Sequence, residues 1–343
     1  MDKFQAEDIR LWQELVAKAS SVALVGHTHP DGDALGCTTA LAVWLRETAG
    51  KEVACLLPDT PSGTLSFMLE PSVRYFFHDQ DPGAAEAWIG RADLVVLMDC
   101  NAFSRTEGLA SSLEASAASK VLIDHHLNPD RAAFELVFST PDISSASELL
   151  YWLLISVSGS ADKLPEACAR ALLTGMTTDT NNFANSVFPS TFQMASALVA
   201  AGVDRDAVVQ QIFNNYRENR VRAMGYMQSE GLRLIPGGGA CMVLTREIQD
   251  RFDLREGETE GLVNVPLTIG TVRLSILLKE EEGLFRVSIR SKRGTSAQQL
   301  ARSHFHGGGH ENAAGGKVIL GEDIPSAADA PAYVESILKD YLS

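Results

Sequence analysis

Residues 26–36 read GHTHPDGDALG, placing His27, His29, Asp31 and Asp33 within a few positions of one another. Two further clusters follow apolar runs. LVVLM leads straight into Asp99, and KVLI into Asp124, His125 and His126. Another aspartate, Asp179, stands in TGMTTDTNNF at the end of a helical pattern. Carboxylate oxygens and imidazole nitrogens in mixture suit Mn²⁺, Fe²⁺ or Co²⁺, with Mg²⁺ or Zn²⁺ as alternatives. The set His27, Asp31, Asp33, Asp99, Asp124, His125, His126 and Asp179 carries more acid than one ion offsets. Two divalent ions about 3.5–4 Å apart, bridged by a carboxylate, would offset it and form a two-metal phosphoester site.

Each acid alone has a plainer role. Asp31 before Gly32 fits a turn. Asp33 before a helical pattern fits an N-cap. Asp99 fits the cap of a following helix, and His125–His126 a surface turn. Clusters after three separate apolar strands, joined by Asp179, are hard to obtain as independent caps. His78, His304 and His306 have no such company, and His78 reads as a surface residue.

The elements that must position these residues show in the apolar pattern. Helical spacing runs over 5–20, 34–46, 84–89, 147–157, 165–175 and 191–200. Short continuous apolar runs at 22–25, 52–57, 94–98 and 120–123 read as strands buried on both faces. Their alternation predicts a doubly wound, mainly parallel α/β sheet, with ligands outside the carboxyl ends of its strands. Helical, more charged sequence over 204–232 reads as a connector. Beyond it, strands at 232–235, 240–244, 272–278, 284–289 and KVIL, with helices at 296–303 and 331–342, predict a smaller mixed α/β domain. The expected division is a metal domain over 1–213, a connector over 214–230 and a substrate-binding domain over 231–343, with the active site in the cleft between domains.

The 343 residues suffice for two domains, and no apolar run approaches the ~18 residues of a membrane span. The polar, amphipathic start lacks the pattern of a signal peptide. A cytoplasmic protein with no membrane partner is expected. Cys37, Cys55, Cys100, Cys168 and Cys241 form no CxxC pair and read as buried apolar residues. The formal net charge of −15 argues against long duplex nucleic acid as a partner.

HTHPDGDALG, the strand-end Asp of LVVLMDCN, the IDHH triplet and the Asp of TTDTNNF resemble the motifs of the DHH phosphoesterase superfamily. GGGHENAAGG resembles the signature of its DHH-associated C-terminal domain. Within that branch the chain is similar to the nano-RNase/pAp phosphatase group. The resemblance implies that His27, Asp31 and Asp99 hold one metal. Asp33, Asp99, His125 and Asp179 would hold the second, Asp99 bridging. His126 would contact the scissile phosphate or attacking water, and Asp124 would orient a histidine or local backbone. His29 takes no ligand role. The metals implied are two divalent ions, Mn²⁺ foremost, activating a shared hydroxide for in-line attack; Fe²⁺, Co²⁺ or Mg²⁺ are the alternatives.

The second domain would grip substrate. Gly307, Gly308 and Gly309 would let backbone amides approach an anion, and Arg290 offers a planar fork. By resemblance, Arg290, Ser291, Gly308, Gly309 and His310 face the metals. Arg286, Arg290, Lys292, Arg293 and Arg302 read as a local basic cluster. The expected activity is hydrolysis of very short oligoribonucleotides and of 3′-phosphoadenosine 5′-phosphate (pAp). Exopolyphosphatase or (cyclic) diadenylate phosphodiesterase activity is the alternative, and a non-catalytic nucleotide sensor a further one. A homodimer fits the commonness of dimers among soluble enzymes.

Overall fold

The computed structural model describes residues 4–343, except the side chain of His310. The chain divides into two compact units, one reaching to Asn215 and the other spanning Tyr216–Ser343.

In the first unit, β1 (Ser21–Val25), β2 (Glu52–Leu57), β3 (Arg74–Phe77), β4 (Leu94–Met98), β5 (Ser119–Asp124) and β6 (Leu136–Ser139) form one sheet. Their order is β3-β2-β1-β4-β5-β6, and every pairing is parallel. Alternate side chains of one strand enter opposite layers. Val22 and Leu24 of β1 join the core that contains α1 (Ala6–Lys18), α2 (Gly32–Ala49), α5 (Ala146–Ser158), α6 (Glu166–Asp179) and α7 (Pro189–Ala200). Ala23 and Val25 enter the core beneath α3 (Pro82–Arg91) and α4 (Ala110–Ala115). This two-sided burial explains why β1, β4 and β5 read as unbroken apolar runs. α8 (Arg205–Phe213) closes the unit.

The edge strands β3 and β6 were not expected from sequence. RYFF and LVFS are four residues each and partly exposed, with only three apolar residues in a row. At α2 the structure also differs in detail: Asp31, not Asp33, is the N-cap, accepting from the amides of Asp33 (2.9 Å) and Ala34 (3.1 Å).

The second unit begins with α9 (Glu218–Tyr226) and a π turn, Met227–Gly231. β7 (Arg233–Ile235), β8 (Gly239–Leu244), β9 (Leu274–Glu281), β10 (Leu284–Ser291), β11 (Gly308–His310) and β12 (Ala313–Ile319) form a mixed sheet, ordered β11-β12-β10-β9-β8-β7. Only β8–β9 is parallel among its pairings. α10 (Arg246–Arg251) follows β8. α11 (Ala297–His304) and α12 (Ala330–Leu342) cover one sheet face through Phe285, Val287, Ile289 and Val318. On the other face Met242, Leu244 and Leu277 pack with Met227, Leu262 and Val263. Among the described residues, no helix is long and apolar enough to cross a membrane.

Candidate metal centre

The strand order reverses between β1 and β4, which both leave the sheet at the same edge. In doubly wound sheets this switch point opens a crevice at the carboxyl ends of the strands. The loop after β1 carries His27 and Asp31. Asp99 follows β4, Asp124 ends β5, and His125 and His126 come next. Asp179 arrives from the other direction, as the last residue of α6. Four segments distant in sequence therefore meet at one rim.

Their ligand atoms fall into three overlapping groups, each with all atoms within 4.8 Å: His27, Asp31 and Asp99; Asp33, His125 and Asp179; Asp99, His125 and His126. Asp99 lies between the histidines. Its Oδ2 is 3.5 Å from His27 Nε2 and its Oδ1 3.4 Å from His125 Nε2. His27 Nε2 is 3.8 Å from Asp31 Oδ1, and His125 Nε2 is 3.8 Å from Asp179 Oδ2. His27 Nδ1 donates to the Thr28 carbonyl at 2.8 Å, which turns Nε2 toward the acids. Asp99 adopts a left-handed backbone (φ 57°), so it is not the first residue of a helix; that bend re-aims the carboxylate at the strand end.

His126 Nδ1 donates to Asp124 Oδ1 at 2.7 Å. Asp124 is fully buried, so it acts on the histidine that it orients.

Asp33 is held by another device. Its oxygens accept from the amides of Ala146 (2.6 Å) and Ser147 (2.9 Å), the first residues of α5. Exposed amides at a helix start favour an anion. Sequence reasoning did not reach Ala146 and Ser147, although Ser145 and Glu148 spell a helix-start signature before the apolar run of α5. It also missed the crossing of α2 and α6. A Cβ on Gly36 would lie 2.7 Å from Gly175 Cα and 2.9 Å from the Ala171 carbonyl. One on Gly175 would land on Ser147 Oγ and come within 3.1 Å of Asp33 Oδ1. Two hydrogens at that crossing let the start of α2 and the end of α6 share the pocket.

The charges are strongly mutual. Burial alone would lower the His27 and His125 pKa values. The facing Asp99 carboxylate, with the charges of Asp31 on one side and of Asp33 and Asp179 on the other, raises them to about 9 and about 10. Burial, reinforced by Asp99, lifts Asp33 to about 7. Burial, reinforced by Asp33, pushes Asp179 well above the carboxylate range. Burial opposes ionisation of Asp99 too, but His125 and His27 outweigh it and hold this carboxyl below its usual range.

The donor set fits divalent metal ions. It mixes carboxylate oxygen with imidazole nitrogen, and the buried Asp99 Oδ1 has no hydrogen-bond donor among the described residues. A buried anion left so is costly by several kcal/mol unless a cation offsets it.

Residues 21–176 match the DHH family, N-terminal domain, and residues 241–334 match the DHHA1 domain. A crystal structure of an exopolyphosphatase-related protein from Bacteroides fragilis superposes with a TM-score of 0.89 at 31% identity, covering 98% of each chain. The chain belongs to the DHH family. It is also similar to the bifunctional oligoribonuclease and PAP phosphatase NrnA of Bacillus subtilis, 27% identical over 94% of this chain and 96% of the relative. A cyclic-di-AMP phosphodiesterase, GdpP of Geobacillus thermodenitrificans, is 26% identical over 87% of this chain and 44% of its own length.

In the DHHA1 domain, Arg290 is half-buried, and its Nη1 donates to the Ile289 carbonyl at 3.0 Å. No carboxylate pairs with it among the described residues, and burial alone lowers its pKa. Ser291 is turned inward: its hydroxyl donates to the Thr295 carbonyl (2.6 Å) and accepts from Asn312 Nδ2 (3.0 Å). Asn312, which sequence reasoning missed, thereby ties the end of β10 to the β11–β12 turn. Gly309 (φ 141°) has backbone within 2.7 Å of a Cβ position, whereas Gly308 faces open space. The side chain of His310 lies outside the described residues. Arg286 does not gather at the glycine loop; it sits four residues from Arg290 along β10 and pairs with Glu281 at 3.0 Å.

Proposed function

We propose that this DHH-family phosphoesterase releases mononucleotides from very short oligoribonucleotides and removes the 3′-phosphate of pAp, using two divalent cations, Mn²⁺ first among them. The observation that carries the reading is Asp99: one buried carboxylate with His27 on one oxygen and His125 on the other. His27, Asp31 and Asp99 would hold one cation, and Asp33, Asp99, His125 and Asp179 the other. Cations bound there supply Lewis acidity, offsetting charge on a phosphoryl group and making water acidic enough to react at neutral pH.

The protein's own groups do the rest. Asp124 orients the His126 ring through Nδ1, so that this histidine would contact the scissile phosphate or the attacking water. The α5 amides fix Asp33, so its carboxylate need not reorganise during turnover. Arg290, without a carboxylate partner among the described residues, is suited to a substrate phosphate. Gly308 leaves room for an anion at the sheet backbone. The similarity to NrnA supports the nucleotide assignment. The names of GdpP and of the Bacteroides protein favour diadenylate and polyphosphate as the second reading.

The test is product release with Mn²⁺, and with EDTA as control, from pAp, an RNA trimer, a long RNA, linear diadenylate and polyphosphate. EDTA-sensitive turnover of pAp and the trimer, with the long RNA spared, is the expected result. Turnover of polyphosphate or diadenylate alone would replace the nucleotide assignment with the second reading.

A further inference from the structure

The start of α5 holds Asp33, and a second carboxylate holds the start of α5. Ser144, Ser145, Ala146, Ser147 and Glu148 are all fully buried. The first amides of a helix need partners outside it. Here Ala146 and Ser147 give theirs to Asp33, and the Ser145 hydroxyl accepts that of Glu148 at 2.9 Å. In an ordinary capping box the acid at this position turns back to the amide of the cap residue. Glu148 reaches further. Its Oε2 accepts from the Ser144 amide (3.2 Å), the Ser144 hydroxyl (2.6 Å) and the Thr191 hydroxyl (2.7 Å), and its Oε1 accepts from Trp152 Nε1 (3.2 Å). Thr191, in the first turn of α7, accepts in turn from the Phe188 amide (3.0 Å).

This network requires a carboxylate. Its two N–H donors, Ser144 N and Trp152 Nε1, sit on different oxygens, and neither can reverse to accept. A glutamine would present one oxygen and one NH₂ group, so in either orientation an N–H would face an N–H. Burial opposes ionisation of Glu148, but the hydroxyls of Ser144, Ser190 and Thr191, with the Ser144 amide, outweigh it and hold the carboxyl below its usual range. A buried anion is costly to desolvate, and capping alone does not call for one, because Ser145 already caps α5. The anion adds a knot. It joins the loop before α5 and α5 itself to the first turn of α7, the next helix after the one that ends in Asp179.

Resting on the two-cation reading above, we infer that Glu148 is a positioning residue for the second cation. It fixes the Ala146 and Ser147 amides where they hold the Asp33 carboxylate, and it ties them to the chain that continues from Asp179. The first set, His27, Asp31 and Asp99, does not depend on it.

The probe is Mn²⁺ alone, titrated calorimetrically into the full chain without substrate. Wild type should take up two ions, and the step removed by Asp179→Asn identifies the second. Glu148→Gln should weaken that step by about tenfold or more, the usual cost of losing an outer partner of a metal ligand, and leave the other step unchanged. Thr191→Val, which removes a donor to Glu148 at similar volume, should weaken the same step several-fold. Thr191→Ser, which keeps the hydroxyl, should bind like wild type. Circular dichroism and urea unfolding in EDTA report whether each variant is folded, and the Thr191 pair carries the test if Glu148→Gln is not. Wild-type affinity at the second step in the folded variants would overturn the inference. Equal weakening of both steps would overturn it too, since general loosening of the fold gives that result. Fewer than two ions on the wild type would overturn the two-cation reading and the inference with it. Two ions, the second sensitive to Glu148, on a protein that hydrolyses neither pAp nor RNA would overturn the proposed substrates and leave the positioning role standing.

Discussion

Gly36 of α2 and Gly175 of α6 lie back to back: a Cβ on the first would sit 2.7 Å from the Cα of the second. No real side chain tolerates that approach to backbone. The crossing is what brings Asp33, less than one turn before Gly36, toward Asp179, about one turn after Gly175.

Gly36→Ala should therefore force the helices apart. Overpacking at such a site destabilises by about 1–3 kcal/mol, and the second metal set should loosen with it. Urea unfolding in EDTA and titration of Mn²⁺ check both effects. Gly225→Ala is the contrast, because Gly225 is helical with no atom near a Cβ position. That change should stabilise by about 0.4–1 kcal/mol. Equal behaviour of the two variants would mean that the crossing is slack.

Asp99→Asn should abolish nearly all turnover while leaving the fold intact. Asparagine tolerates the left-handed backbone at φ 57°, so the loss would be chemical. Initial rates, together with metal content by elemental analysis, make the test. Rates within tenfold of wild type would show that Asp99 is not shared between two cations.

Without metal, stability should fall as pH rises from 5 to 9. Asp33 is raised to about 7 from an ordinary 3.8, and His27 and His125 to about 9 and 10 from 6.5. Each group binds more protons folded than unfolded within its window. The histidine contributions are thus fully present below pH 6.5 and lost as pH rises through 9 and 10. Saturating Mn²⁺ should flatten or reverse the trend, since binding requires deprotonated ligands. Tm across pH, with EDTA or with Mn²⁺, reads this out. A metal-free Tm that climbs over that range would contradict the charge arrangement described.

His126→Ala should lower kcat by about 100-fold or more with metal stoichiometry unchanged, because its Nδ1 is committed to Asp124 rather than to a cation. Asp124→Asn should cause a smaller loss, through misorientation of the same ring. Loss of bound metal in the His126 variant would instead make His126 a ligand.

Much of the fold was legible because β1, β2, β4 and β5 are buried on both faces and read as continuous apolar runs. Glu52–Leu57 and Leu94–Met98 were bounded to the residue. The acids and histidines at their ends were legible for a related reason: polar clusters abutting buried strands have few structural uses. Other features depend on contacts that no local pattern carries. Asp33 meets the amides of Ala146 and Ser147 across more than a hundred residues, and Asp31 took the capping role that Asp33 seemed placed to fill. The partly exposed edge strands RYFF and LVFS hold only three apolar residues in a row. Arg286 and Arg290 are close in sequence, yet a strand separates them by its length and Glu281 claims the first. The sequence by itself determined the residue types, the strands that carry them and their common rim. Only the tertiary structure decided which oxygen faces which imidazole, because that depends on helix crossings and strand register set by packing at long range.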